Sequence, residues 1–259
     1  MGMGMGMGST GRRAATALIL VLLLAGLAVV WRWFPGWVPG LDAGPGEAQR
    51  RRELVQAQAA DQNKNGRPDN LDVLEGARQV LRERPRYADR YLALAYPDGD
   101  VPRDEAVCTD VVVRAWRAAG YDLQRLVHED LRAELKRVGG DPSAPGFPYP
   151  LRNWRQPAPD ANIDHRRVPN LLVYLQRHAL RLTTAVTPGD RANLDQWWPG
   201  DIVVYDQTGA GLANHIAVVS DRATRGGVPL IIEALPGVGV TEASRVNRWT
   251  ILGHFRAAP

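Results

Sequence analysis

The order of the periodic patterns along the chain constrains its fold more than any other feature of the sequence. Helix-like spacing of apolar residues comes first, and short runs of β-branched residues come last. This order is typical of an α+β domain with an antiparallel sheet, and not of alternating α/β folds. The predicted helices cover 47–60, 70–83, Cys108–Ala119, 129–138 and Val168–Ala179, and the predicted strands cover Asp201–Asp206, His215–Ser220, Leu230–Ala234 and Trp249–Arg256. Six prolines between residues 139 and 160 predict a long loop.

An uncharged apolar stretch near the N-terminus predicts a membrane anchor. As a helix, residues 14–30 extend roughly 26 Å, close to the ~30 Å of a bilayer core. Two arginines precede the stretch and aromatic residues follow it. We predict a cytoplasmic tail over 1–13, a transmembrane signal anchor over 14–34, a Pro- and Gly-rich linker over 35–46 and an extracytoplasmic domain over 47–259. Cleavage of the segment as a signal peptide, which would give a secreted protein, is the alternative.

The net charge of +4 does not indicate a nucleic acid partner. Residues 1–60 hold six arginines and three acidic residues, which leaves a net charge of +1 for the other 199 residues. A domain this close to neutral has no basic surface that could follow a phosphate backbone, so we expect no nucleic acid binding.

The segment 61–72, DQNKNGRPDNLD, follows the spacing of an EF-hand calcium loop. Its twelfth position holds Asp instead of the usual bidentate Glu, which predicts weak affinity. The predicted role of the ion is structural, to clamp the helices on either side, and a solvated turn that caps the next helix is the alternative. The predicted ligands are Asp61, Asn63, Asn65, Arg67 through its carbonyl, Asp69 and Asp72.

Cys108 is the single cysteine of the chain and lies where a predicted helix begins. One cysteine excludes an internal disulfide and any zinc site with two or more cysteine ligands. A helix N-terminus stabilises negative charge and so favours the nucleophilic thiolate. A lone thiol outside the cytoplasm also indicates a function, although a buried structural cysteine is the alternative.

His215 is the histidine best placed to act with Cys108. It begins a predicted strand after a turn of small residues, so its ring can project from the sheet edge toward a helix N-terminus. An imidazole in that place can pair with a thiolate and later protonate a leaving amine. The two residues therefore predict nucleophilic catalysis, with no cofactor needed for the reaction.

A polar cluster, NIDHRRVPN, is a candidate for substrate binding. We predict that His165 forms hydrogen bonds there, and that Arg166 and Arg167 hold substrate carboxylates by bidentate pairing. An internal ion-pair network with Asp160 or Asp164 is the alternative.

Eight longer motifs carry a family resemblance. They are AYPDGDVP (95–102), VCTDVVVRAW (107–116), GYDLQ (120–124), VHED (127–130), NIDHRRVPNL (162–171), PGDIVVYD (199–206), HIAVVSD (215–221) and ILGHFR (251–256). From about Asp61 to Arg256 the chain resembles the bacterial family catalogued as domain of unknown function 1287. That family in turn resembles a branch of the NlpC-type, papain-like superfamily of cell-wall peptidases and amidases.

The resemblance implies a papain-like domain, with helices packed on a small antiparallel sheet. It implies that Cys108 is the nucleophile, that His215 is the base, and that a polar residue on the next strand orients the base. Related sequences tend to show His-Asn there, whereas this chain has Glu233 and Ala234. A carboxylate can also hold an imidazole tautomer, as in other triads.

The implied activity is hydrolysis of an amide bond in peptidoglycan or its peptide fragments, through a thioester. The alternatives are a non-catalytic cell-wall-binding module of the same fold, and an acyltransferase or transglutaminase-type enzyme on the same Cys–His frame.

Overall fold

Helices occupy the first part of the computed structural model and strands the second, as the sequence predicts. The structure describes residues 43–56, 60–154 and 158–257. The helices are α1 (Pro45–Val55), α2 (Asp69–Glu83), α3 (Cys108–Ala118), α4 (Leu123–Arg137), α5 (Val168–His178) and α6 (Arg191–Leu194). The strands are β1 (Arg86–Tyr87), β2 (Glu105–Ala106), β3 (Leu180–Arg181), β4 (Ile202–Asp206), β5 (His215–Ala223), β6 (Pro229–Leu235), β7 (Gly239–Ala243) and β8 (Thr250–Arg256). The predicted α+β class is confirmed.

Six of the strands form one antiparallel sheet in the order β3-β8-β4-β5-β6-β7. The two-residue strands β1 and β2 pair separately, in parallel. In the sheet, Tyr205 of β4 lies opposite His215 of β5, and β6 lies on the other side of β5. This strand order brings the start of β5 and the middle of β6 together at one place in the sheet.

The two faces of the sheet carry different apolar clusters, because successive side chains of a strand point to opposite faces. Ile216 and Val218 belong to a large cluster that includes α2, α3 and α5 residues. Tyr205 and Ala217 belong to a smaller cluster built around the fully buried Trp197. Helix α3 is therefore held against the sheet by its valines, which fixes the position of its first residue.

The starts of helices α4 and α1 differ from the prediction for identifiable reasons. Helix α4 begins at Leu123 and not at residue 129, because the Asp122 carboxylate accepts a hydrogen bond from the Gln124 amide and caps the helix earlier. Helix α1 begins at Pro45, two residues inside the predicted linker, since proline is favoured in the first helical turn. Strands β3 and β7 are not predicted, because β3 has only two residues and β7, with the sequence GVTEA, lacks a continuous apolar run.

A buried polar network anchors the start of β4 to α2. The Asp201 carboxylate accepts hydrogen bonds from Asn70 of α2 (2.8 Å) and from His254 (2.9 Å) and Arg256 (2.7 Å) of β8. These two β8 side chains outweigh burial and lower the pKa of Asp201. The preceding Gly200 has φ +86°, and a Cβ atom there would lie 2.0 Å from the Asn70 carbonyl oxygen, so only glycine fits.

The predicted membrane anchor lies outside the part of the chain that the structure describes, as do the tail and most of the linker. Among the helices that are described, none has the length and apolarity needed to cross a bilayer. The anchor at 14–34 therefore stays a prediction. Within the proline-rich stretch, the described residues 139–154 and 158–160 form a loop as predicted, which contains a short 3-10 turn at Leu151–Trp154.

Candidate active site

The local fold places Cys108 at the first position of α3. The preceding Val107 has extended backbone angles, and its amide donates a 2.8 Å hydrogen bond to the Asp110 carboxylate. This contact is one half of a capping box, in which the third helical residue reaches back to close the helix N-terminus. Helix α3 therefore begins at Cys108, and the thiol lies at the helix N-terminus, where the helix dipole favours negative charge.

Asp110 is in turn held by Arg166. The Arg166 guanidinium donates two hydrogen bonds to the Asp110 carboxylate, at 2.8 and 3.1 Å, and both side chains are buried. Its third nitrogen donates to the carbonyl oxygen of Arg90. The Asp110 contacts occupy the guanidinium edge that a substrate carboxylate would need. The structure thus places Arg166 in an internal ion pair, as the alternative to substrate binding predicts. Its partner is Asp110 of α3, and not Asp160 or Asp164.

His215 lies at the first position of β5 and is enclosed by aromatic rings. Its imidazole stacks on Tyr205, with ring centroids 5.9 Å apart, and meets the edge of Trp249 at 5.3 Å. The Nε2 atom of His215 lies 2.5 Å from the Oε2 atom of Glu233 on β6. The exposed fraction is 7% for Cys108, 3% for His215 and 0% for Glu233, so the three side chains share a water-poor environment.

The side chain of Cys108 lies beside the imidazole of His215. Because Nε2 of the imidazole faces Glu233, Nδ1 is the atom left for the sulfur. Burial alone would lower the pKa of His215, but the neighbouring Cys108 and Glu233 outweigh burial and raise the pKa to about 9. An imidazole with that pKa is charged at neutral pH and stabilises a thiolate beside it. The structure therefore brings together all three predicted catalytic residues.

Two further residues near the triad have no signal in the sequence. The Arg245 side chain, in the loop after β7, donates a 2.6 Å hydrogen bond to Oε1 of Glu233 and is 3% exposed. Tyr87 of β1 lies near Cys108, and burial together with the charge of that cysteine raises its pKa to about 12. Neither residue lies in a motif, so only the tertiary structure could reveal them.

The other two residues of the predicted substrate-binding cluster have local roles. Arg167 stacks over the Trp154 ring, 4.5 Å from its centroid, and burial lowers the pKa of its half-buried guanidinium. His165 is 2% exposed, and burial lowers its pKa to about 3, so its imidazole is neutral. Within the described part of the chain, Nδ1 of His165 has no hydrogen-bond partner.

The predicted calcium loop forms a tight turn whose polar groups satisfy one another. The Asp61 carboxylate accepts hydrogen bonds from the amides of Asn65 and Gly66, at 3.0 and 2.8 Å. The side-chain amides of Asn63 and Asn65 both face the Asp72 carboxylate, at 3.0 and 2.7 Å. Four of the predicted ligands thus lie around one centre.

Asp69, the predicted ligand at position 9, faces elsewhere. Its carboxylate accepts hydrogen bonds from the Gln62 amide (2.8 Å) and the Tyr121 hydroxyl (2.7 Å). Arg67 adds an ion pair to Asp72, at 3.4 Å. In residues 43–56, 60–154 and 158–257, no group of three or more carboxylate, histidine or cysteine side chains is placed to hold a metal ion. Calcium binding stays a prediction. For Asp69 to be a ligand, its carboxylate would have to leave Gln62 and Tyr121 and turn toward the other predicted ligands.

Calcium binding predicts a chelator-sensitive melting temperature. In millimolar calcium, a bound ion stabilises the folded chain, and chelation should lower the melting temperature by about 2–4 °C for each kcal/mol of binding. Asp61→Ala should melt at the same temperature with and without chelator. Thermal unfolding followed by circular dichroism is the measurement. A wild-type chain that ignores the chelator, or an Asp61→Ala variant that responds equally, contradicts the calcium interpretation.

Comparison with known proteins gives a family but no activity. The family described as Domain of unknown function (DUF1287) matches residues 74–257, a range that includes Cys108, His215 and Glu233. The chain is 41% identical over 187 residues to "Uncharacterized protein YijF" of Escherichia coli (strain K12), and the match covers 72% of this chain and 81% of that relative. No solved structure matches.

Proposed function

This chain belongs to the family described as Domain of unknown function (DUF1287), and we propose that it is a cysteine hydrolase that cleaves an amide bond. The observation that carries the proposal is the buried group of Cys108, His215 and Glu233, in which the imidazole lies 2.5 Å from Glu233 and beside Cys108. A structural cysteine needs no charged histidine beside it. A nucleophilic cysteine does, because the thiolate is the reactive form.

In the proposed reaction, the Cys108 thiolate attacks the carbonyl carbon of the amide. The backbone N–H of Cys108, at the N-terminus of α3, stabilises the oxyanion that forms. His215 gives its Nδ1 proton to the leaving amine, the C–N bond breaks, and a thioester remains on Cys108. A water molecule then attacks the thioester while His215 takes up its proton, and the acid product leaves as the thiolate returns.

Glu233 orients the imidazole in this mechanism. Its Oε2 atom accepts a hydrogen bond from the Nε2–H group of His215, which fixes the ring so that Nδ1 faces the sulfur. Glu233 is fully buried and is held on its other side by Arg245, so it can keep one position through the reaction. The carboxylate of a serine triad has the same role toward its histidine.

Peptidoglycan, or a peptide fragment of it, is the proposed substrate. Two inferences from the sequence support this choice: the resemblance to NlpC-type, papain-like cell-wall peptidases and amidases, and the predicted anchor at 14–34, which would hold the domain outside the cytoplasm. A cysteine at a helix N-terminus, packed on an antiparallel sheet that supplies the histidine and its orienting residue, is consistent with that superfamily. The proposed protein is thus a membrane-anchored, extracytoplasmic hydrolase.

Purified sacculi test this function directly. The full chain and its Cys108→Ala variant are incubated with sacculi, and the released fragments are identified by mass spectrometry. We expect wild-type protein to release fragments that end in a new carboxylate and a new amine, and the variant to release none. Sedimentation of both proteins with sacculi and no release would favour a wall-binding module. Fragments joined by a new amide bond would indicate acyl transfer.

A further inference from the structure

We propose that Arg245 is a positioning residue that balances the charge of Glu233, so that the pair acts on His215 as a neutral hydrogen-bond acceptor. The inference rests on the proposed triad, but it assigns a role to a residue that no motif includes. It also explains how the site tolerates the charge of Glu233, at a position where an uncharged side chain would orient the imidazole equally well.

Four side chains lie in an unbranched series through the protein interior, each beside the next. Arg245 Nε lies 2.6 Å from Glu233 Oε1, Glu233 Oε2 lies 2.5 Å from His215 Nε2, and Cys108 lies beside the imidazole of His215. All four side chains are at least nine-tenths buried. Each carboxylate oxygen of Glu233 thus serves one cation, which leaves Glu233 little freedom to rotate.

When the Cys108 thiolate has formed, positive and negative charges alternate along these four side chains. Without Arg245, two anions would flank His215 in a region with little water, and the Glu233 charge would disfavour the Cys108 thiolate. With Arg245 present, the Glu233–Arg245 pair has no net charge. The imidazolium and thiolate then form a second neutral pair, and the water-poor site tolerates both pairs.

The remaining groups around His215 do not replace this balance. Tyr205 of β4 is fully buried, and burial and the charge of Glu233 raise its pKa well above the usual value, so it is neutral. Trp249 bears no charge. Tyr87, on the Cys108 side, is neutral because its pKa is raised to about 12. The ion pair of Asp110 with Arg166, in the first turn of α3, has no net charge.

The alkylation rate of Cys108 as a function of pH tests the proposal without a substrate. Because the chain has one cysteine, iodoacetamide labelling of the full chain reports this thiol alone. The variants are Arg245→Met, Glu233→Gln and the double variant. We expect the pH profile of Arg245→Met to move to higher pH by about 1–2 units, and that of Glu233→Gln to move to lower pH by a similar amount. The double variant should return close to the wild-type profile.

Two controls separate positioning from loss of structure. Arg78→Met removes an arginine from another carboxylate pair of the fold, with Asp221, and should leave the profile unchanged. Arg245→Lys keeps the charge and should restore most of the wild-type profile. If Arg245→Met does not fold, the comparison of Glu233→Gln with the double variant still decides. Equal profiles for those two proteins overturn the proposal, because Arg245 would then exert no charge effect on the site.

The outcome is independent of the proposed hydrolysis. Shifted alkylation profiles in a protein that releases nothing from sacculi would support the charge balance and reject the hydrolase. Unshifted profiles in a protein that does release fragments would reject the charge balance and leave the hydrolase in place.

Discussion

Replacement of His215 by glutamine is expected to slow the alkylation of Cys108 at pH 7 by about 30-fold or more. A free thiol is only a few per cent thiolate at this pH, whereas a thiol paired with a charged imidazole is mostly thiolate. Glutamine can still bond to Glu233 but cannot carry a positive charge. Hydrolysis of sacculi should fall further, by about 10³-fold or more, because the leaving amine also loses its proton donor.

The pH dependence of this effect follows from the raised pKa of His215. The pKa is about 9 in the folded chain and about 6.5 in an unfolded one. The charged imidazole therefore contributes stability that is fully present below about pH 6.5 and is lost as the pH rises through about 9. In urea unfolding, the difference in stability between wild type and His215→Gln should shrink across this window.

An exposed histidine provides the control for both measurements. His178 pairs with Asp130 on the surface, and His178→Gln should match the wild-type alkylation rate and hydrolysis. Equal alkylation rates for wild type and His215→Gln at pH 7 would show that the imidazole does not stabilise the thiolate. The proposed mechanism would then lose its first step.

The sequence predicts those parts of the site that depend on local patterns. Cys108 at a helix N-terminus and His215 at a strand start follow from apolar spacing and turn residues, and the structure brings them together with Glu233. Runs of β-branched residues are equally local, which is why β4, β5, β6 and β8 are predicted, whereas β7, with the sequence GVTEA, is not.

The parts that the sequence does not predict depend on which charges meet in the folded chain. Arg166 has acidic residues two and six positions away, yet its partner is Asp110, 56 residues away on α3. Arg245, in the loop after β7, forms a hydrogen bond with Glu233 on β6. The hydrophobic periodicity does not predict such pairs, because it gives the positions of apolar residues and not which buried polar residues meet. Buried arginines are thus the residues whose roles sequence reasoning most easily misassigns.

The Asp110–Arg166 pair leads to the second large expected effect, on stability. Arg166→Met should lower the free energy of unfolding by about 3–5 kcal/mol, because it leaves the buried Asp110 carboxylate without its cation. The double variant Asp110→Asn, Arg166→Met should recover much of this loss. Asparagine is uncharged, and its side-chain oxygen can still accept the hydrogen bond from the Val107 amide that begins α3.

A substrate-binding role for Arg166 would give a different result. The single variant would then unfold like wild type, within about 0.5 kcal/mol, and would only bind substrate more weakly. Arg167→Met is the matched control, because Arg167 is the half-buried neighbour that stacks on Trp154, and its loss should cost about 1 kcal/mol. Urea unfolding of the four proteins distinguishes the two roles. A large loss that the double variant repairs means that Arg166 supports the nucleophile by holding the N-terminus of its helix.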